Sequence, residues 1–192
     1  MNPALEMVLE KARYNGLPKD VIERAIQKAK GGTAESYDEG RYEAFGPGGS
    51  LFIIDTLTDN TNRALVEVRT AVTKKGGHLG SVIFNFYQAG LFAFKGTNRD
   101  EVEETLILSD VDVQEVTEED GEIEVVTAPE AFAQARDVLK GMGIEEFDTA
   151  EVTFLPNDYV EITDPEDRRK FEELCDMLDE LQDVQNVYHN VK

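Results

Sequence analysis

The sequence contains no tryptophan, one cysteine, two histidines and no long uninterrupted apolar stretch. The single thiol, Cys175, has no partner for an intrachain disulfide, which is typical of a protein from a reducing compartment. The histidines, His78 and His189, stand in no spacing with cysteine or carboxylates that is typical of a zinc site. No segment approaches the roughly 18 apolar residues that cross a bilayer, and the first residues lack the pattern of a secretory signal. We therefore expect a cytoplasmic protein with no membrane span, no metal and no other cofactor.

Negative charge is in large excess and is unevenly distributed. The formal net charge is -21; residues 1–75 contain 11 Lys and Arg against 11 Asp and Glu, whereas residues 76–192 contain 8 against 29. An acidic surface repels phosphate, so any surface that binds nucleic acid is expected within the first 75 residues. The predicted nucleic-acid-binding residues are basic side chains of two predicted helices: Lys19, Arg24, Lys28, Lys30, Arg63, Arg69, Lys74 and Lys75. The alternative is that these side chains only solubilise exposed helices. The acidic C-terminal half is expected to face water or a basic protein.

Hydrophobic periodicity, helix caps and turn residues predict an alternation of helices and strands. Proline at the first helical position and glycine after the last mark several helix ends, and Asp120-Gly121 is a strong hairpin signal. The predicted helices are residues 3–15, 18–30, 62–75, 99–108, 128–139 and 163–181. The predicted strands are residues 41–45, 51–57, 82–87, 91–94, 111–116, 123–126, 152–155, 160–162 and 184–189, with a turn at residues 88–90.

This order of elements predicts an α+β fold of three parts. Residues 1–36 form an N-terminal helical hairpin. Residues 37–97 together with 160–192 form a first α/β sandwich module, and residues 98–159 form a second one inserted into the first. Both modules are expected to be ferredoxin-like.

No arrangement of residues indicates catalysis, so we expect a protein that is not an enzyme. Cys175 lies on an apolar stripe and is expected in the core, while His78 is expected in a loop and His189 partly buried in the last strand. Residues 46–49 are glycine-rich, but a strand rather than a helix follows them, which favours a tight turn over a phosphate-binding loop. A backbone contact with a ligand at this turn stays open. The carboxylates around residues 118–124 are expected to be a solvated hairpin tip.

Six segments, read in order, carry a resemblance that spans nearly the whole chain. They are residues 17–26 (LPKDVIERAI), 31–32 (GG), 42–49 (YEAFGPGG), 59–63 (DNTNR), 74–80 (KKGGHLG) and 183–190 (DVQNVYHN). In this order they resemble the YebC/PmpR family. Members usually open with a basic segment that contains a Gly-His-Ser-Lys-Trp-like motif, and no such motif precedes Asn2. A shorter stretch between Gly80 and Val82 is a second departure.

The resemblance implies a three-domain protein, with one helical and two α/β domains, that acts as a DNA-binding regulator of transcription. Relatives that include a mitochondrial translational activator are linked instead to translation, so the alternative is a ribosome-associated translation factor. Either way, the partner is expected to be DNA, or the ribosome and its RNA, contacted by the N-terminal half. We expect a monomer.

Overall fold

The computed structural model describes residues 36–192. The predicted N-terminal helical hairpin therefore lies outside the described residues. The described chain divides into two compact units, which we call the first unit (residues 36–87 and 154–192) and the second unit (residues 88–153). The second unit spans residues 88–153, whereas the sequence analysis predicted an inserted module at residues 98–159.

Within residues 36–192 the chain forms four α-helices and two four-stranded antiparallel sheets, which confirms the predicted mixture of helix and strand. The elements, in chain order, are β1 (Asp38–Phe45), β2 (Leu51–Thr58), α1 (Thr61–Lys74), β3 (His78–Leu79), β4 (Phe86–Lys95), α2 (Arg99–Leu108), β5 (Val113–Glu119), β6 (Glu122–Thr127), α3 (Phe132–Gly141), β7 (Thr149–Pro156), α4 (Pro165–Glu180) and β8 (Val184–His189). No helix among these residues is both long enough and apolar enough to cross a membrane.

The sheet of the first unit has the strand order β3-β1-β2-β8 and buries apolar side chains on both faces. Successive side chains of a strand point to opposite faces. Phe52 and Ile54 of β2 accordingly pack in one cluster with residues of α1 and α4, such as Val68 and Leu174. Ile53 points the other way, into a cluster with Val82, Phe86 and Phe154. The helices therefore cover one face, and a loop with the end of β7 covers the other.

Two helix caps fix where α1 and α4 begin. The Asn60 side chain accepts a hydrogen bond from the backbone of Arg63, and the Asp164 side chain accepts one from the backbone of Asp167. Such caps satisfy donors that have no partner within the helix. The cap at Asn60 therefore fixes the start of α1 directly after the end of β2.

The sheet of the second unit has the strand order β5-β6-β4-β7, with α2 and α3 packed on its core. Along the chain the elements follow as βαββαβ, which is the order of a ferredoxin-like module. The predicted hairpin at Asp120-Gly121 is present, and both residues have a positive φ (51° and 80°). That backbone is typical of the tight turn between β5 and β6.

The prediction of a turn at residues 88–90 was wrong, because β4 runs without interruption from Phe86 to Lys95. Gly90 is opposite Thr127 in the sheet, and a Cβ atom at Gly90 would lie 2.4 Å from Thr127 Oγ1. Glycine there permits a close approach of two strands and does not mark a turn. β4 belongs to the second sheet, and the fourth strand of the first sheet is β3. His78, which was predicted to be in a loop, is the first residue of β3. The first unit consequently has the order ββαβαβ, which differs from the predicted ferredoxin-like order.

Candidate nucleic-acid interface

The eight predicted nucleic-acid-binding residues divide into two groups. Lys19, Arg24, Lys28 and Lys30 lie outside the described residues. The other four belong to α1 or follow it directly, namely Arg63, Arg69, Lys74 and Lys75. Their surroundings decide which of them could meet phosphate.

Arg63 is held by two carboxylates of the first unit. Its Nε and Nη2 atoms each donate to Asp183 across 3.1 Å, and Nη2 also donates to Asp59 Oδ1 across 2.7 Å. The side chain of Asp183 is only 6% exposed. The hydrogen bond to Asp183, followed by the one to Asp59, raises the pKa of the Arg63 guanidinium above its ordinary value. Arg63 therefore neutralises a buried carboxylate, and its planar donor pair is occupied.

Two neutral residues complete this cluster. The Thr58 hydroxyl lies 2.9 Å from Asp183 Oδ2 and accepts a hydrogen bond from the backbone N–H of Asn60. The backbone N–H of Leu57 donates to the carbonyl oxygen of Asp183 across 2.8 Å. Residues 59–63, one of the six segments that carry the family resemblance, thus connect the end of β2 and the cap of α1 with the start of β8. We call this cluster of Thr58, Asp59, Arg63 and Asp183 the brace. Sequence reasoning missed Asp183 as the partner of Arg63, because the two residues are 120 positions apart.

Lys75 is also committed to the fold. Its Nζ atom donates to Glu173 Oε2 of α4 across 2.5 Å, and Arg169 donates to the other oxygen of Glu173 across 2.7 Å. The hydrogen bond from Lys75 is the largest cause that lowers the pKa of Glu173. Lys75 therefore ties α1 to α4 and is not available to a polyanion without breaking this contact.

Arg69 and Lys74 remain, and both are exposed. Neither forms an ion pair with another residue of the described chain. They share the solvent side of α1 with uncharged residues, and we call this surface the α1 face. Its members are Asn62, Val66, Arg69, Thr70, Thr73 and Lys74. The only carboxylate of α1 is Glu67, which is half-buried. The α1 face is thus cationic on a protein whose net charge is -21.

The segment of residues 74–80 has a structural role next to this face. A Cβ atom at Gly77 would lie 2.2 Å from the backbone oxygen of Phe45, so the approach of β3 to β1 requires glycine there. The rings of His78 and Phe45 stack with their centroids 4.9 Å apart. This segment therefore fixes the C-terminal end of α1, where Lys74 lies, against the sheet.

The glycine-rich turn at residues 46–49 is explained by packing. Ser50 Oγ donates to Pro47 O across 2.6 Å, Gly48 has a φ of 67°, and a Cβ atom at Gly48 would lie 2.8 Å from Ile162 Cγ2. A side chain at Gly48 would meet both backbone strain and the Ile162 side chain. The structure therefore gives this turn a packing role.

The thiol and the partly buried histidine lie in environments that suppress their charged forms. Burial, and then the nearby Asp179, raises the pKa of Cys175 to about 11. Burial, and then Arg168, lowers the pKa of His189, whose Nδ1 accepts a hydrogen bond from the backbone of Val191 across 3.1 Å. Neither group is activated as a nucleophile or as an acid at neutral pH. Among residues 36–192 no group of three His, Cys, Asp or Glu is placed to hold a metal ion.

The hairpin of β5 and β6 in the second unit is strongly anionic. Burial raises the pKa of Glu124, with smaller contributions from its neighbours Glu122 and Glu115. This concentration of like charge would repel phosphate. The hairpin is therefore unsuited to nucleic acid, in contrast to the α1 face.

Two comparisons with known proteins concern this fold. The family model described as TACO1/YebC second and third domain matches residues 37–191. The crystal structure of a conserved hypothetical protein from Aquifex aeolicus is 32% identical in sequence and similar in structure, with a TM-score of 0.78; the match covers 100% of this chain and 80% of that chain. Both matches include β1 to β8.

Proposed function

Since this chain belongs to the TACO1/YebC family, as its sequence motifs predicted, we propose that it regulates gene expression by binding nucleic acid and not by catalysis. The observation that carries the proposal is the α1 face. It presents Arg69 and Lys74 to solvent with no ion pair among the described residues, while Arg63 and Lys75 are held by carboxylates. A cationic face of this kind is where a strongly acidic protein can approach a polyanion.

Within residues 36–192 the α1 face offers only two cations without an ion pair, which favours the ribosome over isolated duplex DNA. A protein that binds duplex DNA tightly can make about 6–10 phosphate contacts, whereas two cations release counterions from about two phosphates. Residues 36–192 contain 13 Lys and Arg against 35 Asp and Glu. On the ribosome, contacts with proteins add to a limited contact with RNA. We therefore propose a ribosome-associated factor that acts on translation, with the α1 face towards ribosomal RNA.

Regulation of transcription through duplex DNA is the alternative. It would require the predicted residues Lys19, Arg24, Lys28 and Lys30 to add enough cations to those of the α1 face. The two candidates differ in the partner and in the affinity expected at physiological salt, so one experiment separates them.

The test compares two double variants of the full chain. Arg69→Ala with Lys74→Ala removes the cations of the α1 face, and Lys95→Ala with Lys192→Ala removes two exposed lysines elsewhere. Cosedimentation with salt-washed ribosomes and titration of labelled duplex DNA are measured for each variant and for the wild type. We expect ribosome binding that only the first double variant weakens. Binding to DNA alone would favour the alternative, and equal loss in both variants would refute the role of the α1 face.

A further inference from the structure

The short turn between β3 and β4 presents one fully apolar side chain to solvent. Phe84 is 85% exposed, although Val82 and Phe86 on either side of it are 0% and 7% exposed. The two buried neighbours are anchored in the cluster around Ile53 and Phe154. Phe84 is the most exposed large hydrophobic residue of the described chain.

Hydrogen bonds fix this turn from both sides. Glu43 Oε1 accepts from the backbone N–H groups of Val82 and Ile83 across 2.8 and 2.5 Å. Asn157 donates twice, from its backbone to the carbonyl of Asn85 and from its side chain to the carbonyl of Phe84. These contacts hold the backbone at Phe84 in one position on both sides of the turn. Binding to a partner therefore costs the backbone of this turn little conformational entropy.

The charge near Phe84 comes from the two chain segments that hold the turn and from one cation of β1. The Arg41 guanidinium lies 4.6 Å from the centroid of the Phe154 ring, on the same face of the sheet, and is paired with Asp55 at 2.7 Å. Tyr159 (53% exposed) follows Asn157 by two residues, and Tyr87 (40% exposed) follows the turn. Residues 80–87 and 156–162 include no Lys or Arg, and the carboxylates of Asp158 and Glu161 are exposed. Stacking on a nucleobase would bring phosphates against these carboxylates without neutralising them. This charge pattern disfavours nucleic acid and favours a protein with positive charge.

We propose that Phe84, presented by the turn of residues 82–85, docks into an apolar pocket on a basic protein whose Lys or Arg side chains face Asp158, the neighbour of Asn157. Aromatic anchors at the centre of an interface, with polar neighbours that exclude water, are the usual form of a binding hot spot. The inference rests on the proposed function, because the basic protein is expected to be a component of the ribosome. It assigns to the first unit a second contact, with protein and not with RNA.

The experiment uses the full chain and salt-washed ribosomes. A photoreactive benzoylphenylalanine replaces Phe84 in one sample and Val66 of the α1 face in another, and the adducts are digested with nuclease or protease. In parallel, ribosome affinity is measured for Phe84→Ala and for Leu108→Ala, a matched control that is 77% exposed in the second unit. Thermal unfolding of both alanine variants shows whether the fold is retained.

We expect the adduct at position 84 to resist nuclease and to contain a basic ribosomal protein. Phe84→Ala should weaken ribosome binding about tenfold and Leu108→Ala by less than about twofold. An adduct of position 84 with RNA, or wild-type affinity of Phe84→Ala, would overturn the docking proposal while leaving the proposed function intact. Absence of ribosome binding by the wild-type chain would overturn both.

Discussion

Replacement of Asp183 by alanine should destabilise the first unit, since this carboxylate is the centre of the brace at the start of α1. Its side chain is 6% exposed and accepts two hydrogen bonds from Arg63 at 3.1 Å, with the Thr58 hydroxyl 2.9 Å from Oδ2. The alanine variant leaves the Thr58 hydroxyl and the Arg63 guanidinium without their buried acceptor. It also leaves a small cavity between β2 and β8.

The expected loss follows from the number and kind of these contacts. A hydrogen bond to a charged group contributes about 1.5–3 kcal/mol, and such contributions are not additive when they share one acceptor. Water can replace part of the contact because the Arg63 side chain is 42% exposed. We therefore expect Asp183→Ala to lower the free energy of unfolding by about 2–4 kcal/mol. At a slope of about 2 kcal/mol per molar urea, the unfolding midpoint should fall by about 1–2 M.

Urea unfolding followed by far-UV circular dichroism is the suitable assay, because the chain has no tryptophan to report by fluorescence. Arg63→Ala should also lower the midpoint, and the double variant should lose little more than Asp183→Ala alone. Arg69→Ala, on the same helix but with no ion pair among the described residues, is the control and should change stability by less than about 0.5 kcal/mol. Unchanged stability of Asp183→Ala and Arg63→Ala, together with weaker ribosome binding by Arg63→Ala, would refute the structural role given to Arg63.

Two further predictions concern local packing and thiol chemistry. Gly77→Ala should destabilise the first unit strongly, because the new Cβ atom would lie 2.2 Å from Phe45 O. Gly141→Ala is the control and should be neutral or stabilising, because a Cβ atom there has no heavy atom within 4 Å. Thermal unfolding compares the two variants, and equal effects on stability would contradict the reasoning. Because the pKa of Cys175 is raised to about 11, this thiol should react with iodoacetamide far more slowly at pH 7.5 than a free thiol does. The reaction rate should keep rising above pH 9, and a plateau of the rate near pH 8.5 would contradict the raised pKa.

Much of the described fold could be predicted because its signals are local. The caps at Asn60 and Asp164, the turn at Asp120-Gly121 and the apolar stripes of the helices each act within a few residues. Such features mark the ends of helices and hairpins without knowledge of the rest of the chain. They located most of the elements, and the motifs identified the family.

Sheet membership could not be predicted, because it depends on contacts between distant residues. Gly90 resembles a turn glycine in sequence, yet its role is to let Thr127 approach. Similarly, apolar residues alternate at Val82, Phe84 and Phe86, and this alternation predicted a strand with one buried face. The structure instead has a turn at residues 83–85 that exposes Phe84. A period of two is shared by a strand and by a turn whose ends are buried.

The sequence could identify a basic helix but not which of its cations are paired within the fold, and nucleic-acid binding by these residues stays a prediction. The sequence identified the helix from residue 62 as basic, and the structure divides its four cations into two that brace the fold and two that face solvent. Arg63 and Asp183 both lie in segments that carry the family resemblance, but their pairing across 120 positions has no local signal. Charge counting along a chain therefore finds a cationic region, while only the structure shows which cations are free.

The salt dependence of ribosome binding tests the α1 face most directly. The dissociation constant of the wild-type chain and of the Arg69→Ala, Lys74→Ala double variant is measured across a range of potassium chloride concentrations. If both side chains contact phosphate, the slope of log affinity against log salt should decrease in magnitude by about one for each cation, or about two in all. An unchanged slope in the double variant would contradict the account, because it would mean that phosphate is bound elsewhere.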